Sequence, residues 1–396
     1  MADRFGDRRS CIGPAHIHYG ALAESQTVKM LPDSEKFATK GQNMSDDLKL
    51  LQPVRIGSIE IPNRMIMAPM TRSRASADGV PGELVAEYYA QRASAGLIIS
   101  EGTFPSAMGK GYVRTPGIHT EAQIDGWRKV TAAVHDAGGR IFCQIMHCGR
   151  ISHPSLLPGK ATPVAPSAVT PKGQVYTDDG MLDFETPRAL ETDEIAAIVA
   201  DYAHASSCAL DAGFDGVELH SASGYLPEQF LSSSTNHRTD DYGGSVAGRA
   251  RFPLEALDAM IDVAGADRVG IKIAPEMGFN DISDADPKET YSHLVDQLER
   301  RAIAYLHVAR FPGQVDYFEL LRPRFSGAFL AGVGLTRDSG ETLLKEDRAD
   351  AAVFGVLFIA NPDLPERFRR DSALNTPDPD TFYSPGPDGY TDYPSL

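Results

Sequence analysis

The stretch GVELHSASGYLPEQFL, residues 216–231, changes character halfway. Its first five residues form a short apolar run that reads as a buried strand and ends on a histidine. Small polar residues follow, with a glycine that permits a sharp turn. The fold depends on how often the chain repeats this hand-over from buried strand to polar end. Seven other runs have the same build: MIMAPM (65–70), LIISEG (97–102), IFCQIM (141–146), VGIKIA (269–274), YLHVA (305–309), AFLAGV (328–333) and AAVFGV (351–356). Each has the length and continuous apolarity of a parallel strand buried on both faces. Amphipathic segments lie between them. EAQIDGWRKVTAAVHDAG (121–138) and TDEIAAIVADYAHASSCALDAG (192–213) open on acidic residues and stop at glycine, as helices do.

Eight β–α repeats predict a (β/α)8 barrel in one domain. A doubly wound sheet is the alternative. It calls for a glycine-rich first turn, and APMTRSRASADG (68–79) has none. A Pro-, Gly- and Thr-rich insertion, residues 149–192, separates the third run from the fourth. A loop that long in a compact domain is usually functional, and in a barrel it would lie over the mouth as a lid. Residues 1–43 are polar and aperiodic. They read as a disordered leader or the product of a start placed too early, which leaves 44–396 for the barrel.

The 396 residues are 42% hydrophobic, enough for a large core. Thirty-eight basic against 54 acidic residues give a formal charge of −16, which argues against nucleic-acid and lipid partners. Four cysteines show neither a CxxC pair nor zinc-ligand spacing, and no apolar run is long enough to span a bilayer. The expectation is a soluble cytoplasmic protein without a metal.

Barrel chemistry sits at the C-terminal ends of the strands. The polar residues there are Thr71, Glu101, Gly102, Gln144, His147, His220, Ser223, Tyr225 and Lys272. Alternation puts Gln144 and Met146 on one face of the third strand and Cys143 on the other, so Gln144 is expected to face the axis. His220 ends a strand where a core histidine would need a partner. With Tyr225 five residues on, imidazole and phenol can converge on a carbonyl oxygen and supply a proton.

IPNRMIMAPMTRSRA (61–75), SEGTFPS (100–106), HCGRIS (147–152), VELHSASGYLPEQFLSSSTNHRTDDYGGSVAGRARF (217–252), RVGIKIAP (268–275), FIANPDL (358–364) and FYSPGPDGYTDYP (382–394) together resemble the old yellow enzyme family of FMN ene-reductases. The resemblance covers residue 50 to the C-terminus. It implies that Ala68, Pro69, Thr71, Gly102 and Gln144 hold the flavin ring, with Lys272 in place of an arginine. It implies that His220 and Ser223 bind the substrate carbonyl, Ser223 standing where the family has Asn or His. Tyr225 matches the proton donor, Met146 a tryptophan over the substrate, and Tyr390 a tyrosine lining the mouth.

Two departures concern the phosphate. A strand-seven glycine aligns with Val333, or with Gly332 or Gly334 if the register slips by one. The phosphate arginine after strand eight is Val356. Because both positions turn apolar, the favoured reading is an enzyme in which FMN is weakly held or absent, with NAD(P)H needed only if FMN binds. His220 and Tyr225 would then isomerise or cyclise a small enone or enal by acid–base chemistry. The alternatives are an FMN- and NAD(P)H-dependent ene-reductase and a non-catalytic scaffold.

Overall fold

The computed structural model describes residues 47–311 and 315–396, and the leader 1–43 lies outside them. The eight runs form eight parallel strands: β1 Met65–Met67, β2 Leu97–Ile99, β3 Ile141–Ile145, β4 Gly216–Ser221, β5 Val269–Ile273, β6 Tyr305–Ala309, β7 Ala328–Gly332 and β8 Ala351–Phe354. They close into a barrel in chain order, β8 pairing with β1 through Val353 and Ile66. The expected (β/α)8 barrel is the fold. No helix among the described residues is long and apolar enough to cross a membrane.

Alternation sorts each strand's side chains into two clusters. Ile66, Leu97, Ile99, Phe142, Tyr305, Leu330 and Val353 fill the barrel interior. Met65, Ile98, Cys143, Leu219, Ile271 and Leu306 face outward against the helices. A hairpin, Val54–Ile56 with Ile59–Ile61, plugs the N-terminal end of the barrel with Ile56 and Ile61. Its turn residue Gly57 has φ +54°, and a Cβ there would collide with the Asp267 carbonyl.

The helices are α1 Glu83–Gln91, α2 Glu121–Asp136, α3 Thr192–Asp211, α4 Leu226–Leu231, α5 Val246–Ala264, α6 Pro287–Glu299, α7 Tyr317–Leu321, α8 Arg337–Lys345, α9 Val356–Ala360 and α10 Leu364–Arg370. The glycine stops act as expected, with Gly138 and Gly213 taking left-handed φ just past α2 and α3. Thr120 and Gln123 form a reciprocal capping box at the start of α2.

Segment 149–192 is not a bare loop. It holds a hairpin, Gln174–Thr177 with Gly180–Asp183, and a short pairing of Val164–Ala165 with Arg188–Ala189. Asp178 at the hairpin turn lies 3.9 Å from Arg114 on the β2 side. Lys172 lies 3.4 Å from Asp281 on the β5 side. The insertion is thus tied to the rim on both sides of β3 and β4.

Candidate active site

The C-terminal ends of β3, β4, β5 and β6 carry a polar layer inside an otherwise apolar barrel. Gln144 Nε2 donates to Glu218 Oε1 at 2.7 Å, and His307 Nδ1 lies 3.0 Å from Glu218 Oε2. β4 and β6 are not neighbours, so the Glu218–His307 contact crosses the interior. Gln144 therefore faces the axis, as its alternation predicts. A carboxylate only accepts hydrogen bonds, so the Gln144 amide must turn its NH2 toward Glu218 and keep its carbonyl oxygen for another donor. His220, Lys272 and His307 pair in register on β4, β5 and β6. Burial lowers the pKa of Lys272, with Glu218 opposing it.

His220 is 5% exposed, and its Nδ1 is buried with no hydrogen-bond partner among the described residues. It is not a satisfied core histidine. Burial, then Lys272 and His307, hold its pKa well below the ordinary value of 6.5, so the ring is neutral at neutral pH. Its ring meets Tyr225 edge to face, with centroids 4.9 Å apart. Tyr225 Oη is 3.1 Å from Tyr112 Oη, and that loop tyrosine was not among the residues expected from sequence. Ser223 Oγ donates to the Met277 thioether at 3.3 Å, a weak acceptor that a carbonyl oxygen can replace.

The turn that presents these groups is left-handed at two successive residues, Ser223 (φ +60°) and Gly224 (φ +76°). Its peptide groups are held by side chains. Asn280 Nδ2 donates to Ser223 O at 2.7 Å, Gln229 Nε2 to Gly224 O at 2.7 Å, and Gly224 N to Glu228 Oε2 at 2.6 Å.

Ala68, Pro69 and Thr71 follow β1 and are half-buried at its mouth. Gly102 is buried at the end of β2, where a Cβ would strike Met146 Sδ and Cε. Met146 is thus packed onto Gly102. Next to them Glu101 is 1% exposed, and burial raises its carboxyl to about 7 while the Arg72 amide donates to it at 3.1 Å.

Val333 and Val356 lie past β7 and β8, across the barrel from β3 and β4, and are 41% and 45% exposed. Val333 has φ +81°, a conformation suited to glycine, and Gly334 follows at +69°. No heavy atom of the described residues lies within 4 Å of a Cβ built on Gly334, so among them the backbone there is open to a ligand.

Tyr390 does not line the mouth as expected. It is fully buried, stacked on Tyr88 at a centroid distance of 4.0 Å, with the Arg74 guanidinium 4.4 Å from its other face. Three arginines explain this: Arg74 donates to the carbonyls of Thr381, Phe382, Gly386 and Asp388, Arg72 to those of Phe382 and Gly389, and Arg92 to that of Tyr390, which draws the C-terminal segment down onto α1.

Residues 49–375 match the NADH:flavin oxidoreductase / NADH oxidase family. The 12-oxophytodienoate reductase 1 of Oryza sativa subsp. japonica is 42% identical over 360 residues, covering 88% of this chain and 93% of the rice protein. A probable flavin mononucleotide-dependent alkene reductase of Leishmania infantum is 43% identical over 362 residues, covering 88% of this chain and 97% of that one. The structure of morphinone reductase in complex with tetrahydroNAD superposes with a TM-score of 0.85 at 49% identity, covering 88% of this chain and 97% of that chain. These relatives are named as reductases, and that corrects the expectation of a non-redox isomerase or cyclase. The expectation that FMN is weak or absent falls with it. Its physical error was one of weight: a lost charge-assisted hydrogen bond removes about 1.5–3 kcal/mol, while the ring contacts are spread over several strand ends. The chain belongs to the NADH:flavin oxidoreductase / NADH oxidase family, the old yellow enzyme family that its motifs resemble.

Proposed function

We propose that the protein is an FMN-dependent, NAD(P)H-consuming ene-reductase acting on a small α,β-unsaturated carbonyl compound. The observation that carries this reading is the buried, unpartnered His220 Nδ1 beside Tyr225, at the end of a strand that also supplies Glu218 to orient Gln144. FMN suits the residues present. The free carbonyl oxygen of Gln144 matches the N–H of the flavin pyrimidine edge, Lys272 offers a cation beside it, and Ala68, Pro69, Thr71 and Gly102 leave a low wall for the ring. Val333 and Val356 would border the phosphate, leaving the backbone at Gly334 as a point of approach.

Bound FMN would supply the electron pair that it receives from NAD(P)H. The chain's own residues do the rest. Neutral His220 and Ser223 hold the substrate carbonyl oxygen and stabilise the negative charge that gathers there. That makes the alkene electrophilic at its far carbon. Tyr225 delivers a proton to the carbon next to the carbonyl, and Tyr112, hydrogen-bonded to it, fixes the phenol's orientation. Met146 sets the apolar wall, and the 149–192 insertion limits substrate size from above.

The test is direct. Protein purified with FMN should be yellow, bleach with NADPH and recolour with 2-cyclohexenone. Tyr225→Phe should bleach normally and recolour about 10²–10⁴-fold more slowly. A wild-type protein that bleaches but ignores the enone rules the reading out.

A further inference from the structure

We infer that Glu228 is a positioning residue of the reduction: its carboxyl bridges the Gly224 amide and the Tyr291 hydroxyl, and so sets the turn that aims Ser223 and Tyr225 into the pocket. The inference rests on the ene-reductase reading.

Two successive left-handed residues leave the peptide groups of the turn without the partners a helix or strand would provide. The two carbonyls of the turn are met by amide side chains. The one N–H between them, that of Gly224, is met by Glu228 Oε2 at 2.6 Å. Glu228 Oε1 accepts from Tyr291 Oη, also at 2.6 Å, which ties the turn to α6. Glu228 is 3% exposed on the first turn of α4, the helix that begins immediately after Tyr225. Any slack in this bridge moves Ser223 on one side of the Gly224 amide and Tyr225 on the other.

A carboxyl is a costly choice for a buried bridge: the two hydrogen bonds it accepts offset part of the burial cost, while Asp284 nearby adds to it. A cavity of about 410 Å³ lies behind α4, lined by Glu276, Met277, Asp284, Thr290 and Tyr291. The groups that share this cavity with Glu228 are Glu276 and Asp284 from the segment after β5 and Tyr291 from α6; behind them Tyr317 of α7 packs on Tyr291 and Arg249 of α5 reaches Asp284 and Thr290. Arg249 is spent on Asp284, at 3.6 Å, and on Thr290, at 3.0 Å. Met277 also lines this cavity and accepts from Ser223, so the same wall touches both the bridge and the substrate-binding hydroxyl.

The ionised form accepts from both donors at once. The neutral form accepts from Gly224 and donates to Tyr291, an arrangement that a glutamine reproduces. Burial raises this carboxyl to about 7, so both forms are populated near neutrality. The charged acceptor makes the stronger bonds, and the turn is firmest above that pH.

Stopped-flow measurement of FMN-loaded wild type, Glu228→Gln, Glu228→Ala and Tyr291→Phe tests this, with NADPH bleaching and 2-cyclohexenone recolouring timed separately near pH 6 and pH 8. Bleaching should stay within about twofold in every protein. Recolouring should fall at least about ten- to a hundredfold in Glu228→Ala, which loses the charge-assisted bond to the Gly224 amide together with the tie to Tyr291. Glu228→Gln should match wild type near pH 6 and lag several-fold near pH 8. Tyr291→Phe should fall between Gln and Ala, and it carries the test if Glu228→Ala does not fold. Equal losses in both half-reactions, or a Gln variant that tracks wild type at both pH values, would overturn the inference while leaving the ene-reductase reading intact. A wild type that the enone cannot recolour removes that reading and this inference with it.

Discussion

Val333 carries a β-branched side chain on a backbone with φ +81° and holds it 41% exposed to solvent. Left-handed backbone costs an L-residue about 1–2 kcal/mol, and little packing offsets it here. Val333→Gly should remove that strain and give back part of it as unfolded-chain entropy. The expected net gain is about 1 kcal/mol, a rise in Tm of about 2 °C by calorimetry. Val356 is the complementary case. It stands at the first position of α9, nearly half exposed, with room for a longer side chain. If the cofactor phosphate lies where the family resemblance puts it, Val356→Arg should tighten FMN about ten- to a hundredfold and leave riboflavin unchanged. Fluorescence titration of both flavins reads this. Equal tightening of both would mean that the new arginine acts on the ring, and no tightening would mean that the phosphate lies elsewhere.

Among the elements, the C-terminal segment shows how little a sequence says about an irregular stretch. FYSPGPDGYTDYP carries no period, and the family resemblance puts its Tyr390 at the mouth, yet Tyr390 is fully buried. Three arginines do this: Arg74 donates to four carbonyls of the segment as well as Arg72 O, Arg72 to those of Phe382 and Gly389, and Arg92 to that of Tyr390. A lysine has the charge but not the planar fork of an arginine. Arg74→Lys should cost about 2–4 kcal/mol and expose the tail to limited proteolysis; an unchanged digestion pattern would show that Arg72, Arg92 and the Tyr88–Tyr390 stack suffice to hold it. The strands were legible for the opposite reason. Buried on both faces, they had to be written as continuous apolar runs, and a polar residue at such a run's end had nowhere to be but the mouth. That logic put His220, Gln144 and Lys272 on the interior of the strands near their C-terminal ends, and Tyr225 on the turn after β4, where the structure has them. It could not find Tyr112, which arrives from a loop, nor the Glu218–His307 contact between strands that are not neighbours. It could not find the N-terminal plug, a hairpin too short to carry a period. It misjudged Tyr390 because the residues that bury it, Arg72, Arg74, Tyr88 and Arg92, lie far away near the start of the barrel.

For the molecule as a whole, the buried titratable groups pull stability in opposite directions with pH. Burial lowers His220, His147 and His307, and His147 reaches about 4. A base with a depressed folded pKa gives stability above its unfolded value of 6.5 and loses it as pH falls. Burial raises Glu101 and Glu228 to about 7 from an ordinary 4.5. An acid raised in this way gives stability below 4.5 and loses it as pH climbs through 7. The two trends offset each other between about pH 4.5 and 6.5. Above that the histidine contribution is flat, and the carboxyl contribution alone still declines. Stability should therefore fall from about pH 6.5 to 8, and Glu228→Gln should flatten part of that fall. Relative to wild type the variant should gain about 2 kcal/mol more at pH 8 than at pH 5. The charge of −16 adds its own repulsion at high pH, but wild type and variant share all but one unit of it, so their difference isolates the single carboxyl. Melting curves of both proteins across this range check the sign. Curves that separate toward pH 8 place an ionised carboxylate beneath the turn at working pH, gripping Gly224 at the expense of fold stability. Parallel curves would mean that Glu228 keeps one protonation state throughout, and the pH-dependent part of its positioning role would go.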